Sequence, residues 1–123
     1  MMLLIHEGRK SGKRRYAVLE VVKYNKEINL HYAASGFGKK SDWFQNISTN
    51  PEVSIQSGGK TFSAKAQVIN DEEAAKIFED YTKKYPNAIK NLARFIGYDI
   101  GESEQDTLDF LRMIPVVAFY QME

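Results

Sequence analysis

Cysteine is absent from the 123 residues, which excludes a disulfide framework, a thiolate nucleophile and any Cys-ligated zinc site. Histidine is scarce: His6 and His31 fall in different strand segments, and no His-Glu-x-x-His spacing joins either to a metal. Both are expected to be hydrogen-bonded or exposed strand residues, and no metal site is expected. Long apolar runs are missing too. The opening run from Met1 to Ile5 is too short for a signal-peptide core or a membrane span, and the carboxylate of Glu7 follows. No Pro/Gly-rich linker, internal repeat or low-complexity segment divides the chain, so residues 1–123 are expected to form a single cytoplasmic domain. Hydrophobic residues make up 43% and charged residues 27%, which suits a soluble protein with one ordinary core and no staples.

Positive charge, by contrast, is concentrated in one place. Five of the seven residues from Arg9 to Arg15 are cationic (Arg9, Lys10, Lys13, Arg14 and Arg15), with Gly8, Ser11 and Gly12 around them. The whole chain carries only +1, so removing those five charges leaves −4 on the rest. Glycine reaches positive φ at no steric cost, and a Gly-Arg-Lys-Ser-Gly turn can offer N–H groups, a hydroxyl and cationic heads to one phosphate. A solvated hairpin loop has the same composition, and the loop alone does not separate the two readings.

Periodicity divides the rest of the chain into strands and helices. Met2 to Glu7 and Arg15 to Tyr24 are two apolar runs joined by the glycine-containing loop, a hairpin pattern. Ile28, Leu30 and Tyr32 then alternate with polar or small partners up to the Ser35-Gly36-Phe37-Gly38 punctuation. Ser41 or Asp42 is expected to cap a short helix through Ile47, closed by Asn50-Pro51. Val53 and Ile55 lead through Ser57-Gly58-Gly59-Lys60 to a strand with Phe62, Ala64, Ala66 and Val68 on alternate positions. From Asp71 the period becomes helical. Asn70 or Asp71 caps a helix with an Ala74, Ala75, Ile77, Phe78 and Tyr81 stripe. Pro86 is expected to open a second helix, with Ile89, Leu92, Ala93 and Phe95-Ile96, stopped by Gly97. Glu102 to Met113 is a third, whose Glu102, Glu104, Asp106 and Asp109 read as a solvated acidic face. Pro115 to Tyr120 is apolar at every position and is expected to be a central strand. The pattern predicts a small antiparallel β-barrel or strongly curled sheet with helices inserted before its last strand.

A second segment invites a ligand. In Ala33 to Asn46, Gly36 and Gly38 allow close backbone approach, Lys39 and Lys40 add charge, and Trp43-Phe44 supplies flat apolar surface at a helix start. Trp43 reads equally as a core anchor for that helix. Both glycine-rich turns flank strands expected to be neighbours, so their cations can line one cleft suited to a planar, phosphorylated ligand.

Five ordered segments together resemble the deazaflavin-dependent nitroreductase family: GRKSGKRR at Gly8 to Arg15, SGFGKKSDWFQNI at Ser35 to Ile47, NPEVSIQSGGKTFSAKA at Asn50 to Ala66, Tyr85-Pro86 before a helix, and IPVVAF at Ile114 to Phe119. The resemblance implies an α+β split β-barrel like that of FMN-binding reductases, carrying the reduced deazaflavin coenzyme F-420, with FMN as the alternative. It implies that Arg9, Lys10, Ser11 and Arg15 hold the coenzyme phosphate and its oligoglutamate tail. Ala34, Ser35 and Gly36 would lie along the ring or its linker, and Asp42, Trp43, Phe44 and Asn46 would form the helix start over the same ligand. Lys13 and Arg14 are left to face water.

The implied activity is hydride transfer to a small hydrophobic acceptor such as a quinone, enone or nitro compound, with the hydride chemistry belonging to the coenzyme. Its alternative is a non-catalytic protein that binds or sequesters deazaflavin, FMN or haem. Three departures shape the expectation. Ala88, Asn91 and Arg94 stand where the well-known mycobacterial nitroreductase has tyrosines near its substrate, so nitroaromatic prodrugs are not expected as acceptors. Gly36 replaces the family's lysine beside the ring, and the glycine-rich loop is shorter. The chain also begins at its first strand without the amphipathic N-terminal helix of some members, so no membrane anchor is expected. Related split barrels are often homodimers. A nucleic-acid-binding barrel is disfavoured by the near-neutral charge and the lack of a recurrent aromatic stripe.

Overall fold

The computed structural model describes residues 1–36, 38–95, 97–101 and 103–122. The expectations placed on Phe37, Ile96 and Glu102, and on the side chains of Phe95 and Glu104, lie outside the described residues. Among the described residues, seven strands make one antiparallel sheet: β1 (Met2–Glu7), β2 (Arg14–Leu19), β3 (Val21–Asn25), β4 (Leu30–Ala34), β5 (Glu52–Ser57), β6 (Lys60–Val68) and β7 (Val116–Gln121). Their order across the sheet is β2-β1-β5-β6-β7-β4-β3. The two edges, β2 and β3, are separated in sequence by Glu20 alone. In a flat sheet, six strand spacings of about 4.8 Å would part those edges by roughly 29 Å, and one residue spans only about 3.5 Å. The sheet therefore curls until its edges approach each other at Glu20, giving the expected split barrel. The run expected as one strand from Arg15 to Tyr24 is two, because the chain leaves one edge of the sheet and joins the other at that residue.

Both faces of the curled sheet are covered. On β7, Val117 and Phe119 point into the barrel interior with Leu4, Ile55 and Ala64, while Val116 and Ala118 point outward into a second cluster with Tyr32, Phe78 and Phe110. Four consecutive buried positions from Val116 to Phe119 are thus a strand with period two and two buried faces, as expected of a central strand. β4 does the same, with Leu30 and Tyr32 outward and Ala33 inward. His31 is buried between the rings of Tyr24 and Phe62, at centroid distances of 4.6 and 5.6 Å.

The described residues also form four α-helices, α1 (Asp42–Thr49), α2 (Asp71–Lys84), α3 (Ala88–Phe95) and α4 (Glu104–Arg112), and a short 3-10 turn at Gly38–Lys40. Asn70 caps α2, its side-chain oxygen accepting from the Glu73 N–H at 2.8 Å. Ser103 caps α4 in the same way, so that helix starts later than expected. The α1 cap differs from expectation. Ser41 occupies the N-cap position but makes no side-chain cap bond, because its hydroxyl is engaged 3.0 Å from the Ser35 hydroxyl. Pro86 does not open α3, which begins two residues later at Ala88. The amphipathic stripe of α2 lies on the outer face of the sheet, with Ala74, Ile77 and Phe78 in the second cluster.

Candidate functional site

The basic loop is held in shape before any ligand is considered. The Gly8 N–H donates to the Lys13 carbonyl at 2.8 Å and the Gly12 N–H to the Gly8 carbonyl at 2.9 Å, closing a tight turn. Gly12 has φ 69°, the left-handed region that favours glycine. Ser11 Oγ accepts from the Lys13 N–H at 3.2 Å. The loop is also tied to α1: the Arg9 backbone N–H and Nη1 both donate to Asn46 Oδ1, at 3.0 and 2.8 Å. Arg9 Nη2 lies 3.6 Å from Asp42 Oδ1, and with Asp42 88% exposed that ion pair is largely screened.

The strands that flank the two glycine-rich turns are not sheet neighbours, contrary to expectation. β1 and β2 form one edge while β4 lies next to the other. The turns converge instead because α1 packs on β1 and meets the basic loop through Asp42 and Asn46.

Two clefts result, and they share lining residues. The first, of about 680 Å³, is lined by Arg9, Lys10, Arg14 and Arg15 with Ser11, and Asp42 is its one carboxylate among the lining residues. The second, of about 1320 Å³, runs between β2, the β4–α1 turn and the start of α3, and includes Val18, Ala34, Gly36, Tyr85 and Leu92. Ala17, Asp42 and Trp43 line both. The second cleft is the more apolar in character: Val18 and Tyr85 remain 68% and 58% exposed there, although each is a large apolar or aromatic side chain. Trp43 is half-buried against the barrel core, 6.4 Å from the Phe119 ring and 6.1 Å from the Phe44 ring. It packs α1 on the core and also lines both clefts. On the far side of the larger cleft, the Tyr81 hydroxyl donates to the Glu20 carboxylate, and Tyr85 packs edge-on against Tyr81 at 5.1 Å. Burial, then Glu20, push the Tyr81 phenol far above its usual range, so Tyr81 keeps its proton.

Of the residues expected at the site, Arg9, Lys10, Ser11, Arg15, Asp42, Trp43 and Asn46 line the basic cleft, and Ala34 and Gly36 line the apolar one. Two do not. Phe44 is buried in the barrel interior, one helical position from Trp43 and turned inward. Ser35 is fully buried, donating to the Gly38 carbonyl at 2.6 Å and meeting Ser41, so its hydroxyl shapes the turn. Arg14, given to solvent on sequence, is exposed and also lines the basic cleft. Ala88 and Asn91 of α3 line the apolar cleft, beside Tyr85 and Pro86. His6, also in the basic cleft, was missed as a site residue; a lone histidine in a strand has no spacing signal that marks it.

Among the described residues, no group of three or more His, Asp or Glu side chains is placed to hold a metal, and no helix is long and apolar enough to cross a membrane.

Comparison with known proteins gives a consistent result. Residues 1–95 match the family model described as F420H(2)-dependent quinone reductase. A relative from Mycobacterium tuberculosis, named for F420H(2)-dependent quinone reductase activity and designated Rv3178, is 30% identical over 77 residues, which span 63% of this chain and 65% of that protein. The chain thus spans less than two thirds of that curated relative. A solved structure described as a domain-swapped dimer is 25% identical with a TM-score of 0.64, covering 96% of this chain and 78% of its own. A solved F420-H2 dependent reductase (FDR-A) shares the fold, with a TM-score of 0.65 at 24% identity over 96% of this chain and 91% of that one.

Proposed function

The chain belongs to the F420H(2)-dependent quinone reductase family, and from that premise we propose that it is an oxidoreductase that binds reduced coenzyme F-420 and passes hydride to a small apolar acceptor, a quinone first. The observation that carries this reading is that a cationic cleft and an apolar cleft share Ala17, Asp42 and Trp43 as lining residues. A coenzyme with an anionic tail and a planar ring needs cationic forks at one end and flat apolar surface at the other, and the two clefts that meet at these shared residues offer one each. The residues present therefore suit the group. Arg9, Lys10, Ser11 and Arg15 would hold its phosphate and tail, and Trp43, Ala34 and Gly36 would border its ring.

When bound, the reduced deazaflavin supplies the hydride. The chain's own part is position and shielding. Arg9, already oriented by Asn46, loses little freedom on meeting an anion. Val18, Tyr85 and Leu92 give the acceptor an apolar wall that keeps water from the reacting face. Tyr81 is committed to Glu20 and acts as part of that wall, not as an acid.

Separate titrations with F-420 and FMN, followed by menadione added to the reduced F-420 complex, test the proposal. F-420 is expected to bind more tightly than FMN, and menadione to reoxidise many equivalents of it. Tight binding without turnover would make the protein a carrier and contradict the reductase reading. Preference for FMN would contradict the coenzyme assignment.

A further inference from the structure

The hydrogen bonds around Asn46 determine a protonation state. The Arg9 backbone N–H and Nη1 meet the same Asn46 atom, and both are obligate donors, so that atom is the amide oxygen. The Asn46 nitrogen is then the atom 3.1 Å from His6 Nδ1. It donates, so Nδ1 accepts and carries no proton. The neutral His6 ring with its proton on Nε2 satisfies this chain, and both His6 and Asn46 are buried.

We propose that His6 is a positioning residue for the anion-binding loop: its neutral ring fixes the Asn46 amide in the orientation that holds Arg9, and protonation of the ring releases Arg9. In its effect on binding, this role rests on the coenzyme site proposed above. Protonated His6 has an N–H at Nδ1 facing the Asn46 NH2 group, two donors with no acceptor. Rotating the amide offers oxygen to His6 but turns nitrogen toward the two Arg9 donors. Either arrangement loses bonds that now shape the loop.

The charges around the ring set where this happens. Arg15 lies opposite His6 on β2, Arg9, Lys10 and Arg14 share its cleft, Asp42 reaches in from α1, and Glu7 and Glu52 share the cleft on its other flank. Burial first, and Arg15 second, push His6 protonation below its ordinary 6.5, against a smaller opposite pull from Asp42. A base with a lowered folded pKa contributes fully above the unfolded value and loses that contribution as pH falls through the folded one. The loop is thus intact at neutral pH and loosens in acid. Simple charge attraction predicts the reverse for an anionic ligand, since a newly cationic His6 would strengthen binding. The direction of the pH effect decides between them.

The test measures F-420 affinity at about pH 7.5 and at a pH below the midpoint of the His6 titration as NMR of the free protein locates it, for the wild type and His6→Gln, which keeps an acceptor oxygen but does not titrate. Ionisation of the coenzyme itself is common to both proteins and cancels. Wild-type affinity is expected to fall roughly five- to tenfold, as loss of one or two hydrogen bonds does, against less than about twofold in the variant. Wild-type affinity that rises in acid, or falls equally in both, overturns the proposal. NMR of the free wild-type protein keeps the claim decidable if the variant misfolds or the coenzyme does not bind. Nδ1 is expected to be the unprotonated ring nitrogen at neutral pH, and the Arg9 amide resonance to move with the His6 titration. A proton on Nδ1, or an Arg9 amide indifferent to that titration, overturns the role of His6. Absence of F-420 binding with both NMR results as expected contradicts only the proposed coenzyme site.

Discussion

Arg15→Ala and Arg9→Ala are each expected to weaken F-420 binding by roughly 1.5–3 kcal/mol, the range of a hydrogen bond to a charged group, or about 10- to 150-fold in Kd. The two arginines earn that effect differently. Arg15 stands exposed on β2 beside the loop and forms no ion pair among the described residues, so its full charge is open to a ligand. Arg9 is already bound to Asn46 and close to Asp42, so its removal takes away a preorganised donor and one anchor of the loop. Its backbone bond to Asn46 survives the substitution. Stability separates binding from folding: Arg15→Ala is expected to change unfolding free energy by less than about 0.5 kcal/mol, as an exposed substitution does. Unchanged affinity in both variants would move the anion site off this loop.

Phe119→Ala is expected to cost about 3–5 kcal/mol of stability, because a buried ring is lost and the rigid barrel cannot close over the cavity. That is a large share of the roughly 5–15 kcal/mol that holds a domain folded. Phe119 is fully buried on β7, between β4 at His31 and β6 at Ala66, and its ring packs near Trp43. The same change is therefore expected to loosen the Trp43 wall and weaken coenzyme binding in whatever fraction remains folded. Denaturant melts followed by far-UV circular dichroism provide the check. Val18→Ala, at a position 68% exposed, is the contrast and should leave the midpoint nearly unchanged. Equal midpoints for Phe119→Ala and wild type would contradict a barrel interior built on β7.

Much of this fold is legible in the residues because its strands are short, bounded by glycine turns and clear in period. The all-apolar stretch from Val116 to Phe119 announces a strand buried on both faces, and the helical stripe of α2 announces a helix with one buried side. What stays hidden is set by closure of the sheet. No glycine, proline or break in period marks Glu20, where one run of strand becomes two edges. Ser41 has the chemistry of a helix cap, yet a contact with Ser35 takes its hydroxyl elsewhere. The site follows the same division. Cations clustered in a glycine-bounded loop are visible as an anion site, and Asn46 enters through family resemblance. His6 does not, since its importance lies in one hydrogen bond to a residue forty positions away along the chain.

The most direct measurement of the central claim is a crystal structure of the protein with F-420 bound. It should show the coenzyme phosphate within hydrogen-bonding distance of Arg9, Lys10 or Arg15 and the deazaflavin ring against Trp43, spanning the two clefts. A coenzyme seated instead in the separate cavity of about 930 Å³ beside His31, with the basic loop untouched, would contradict the account.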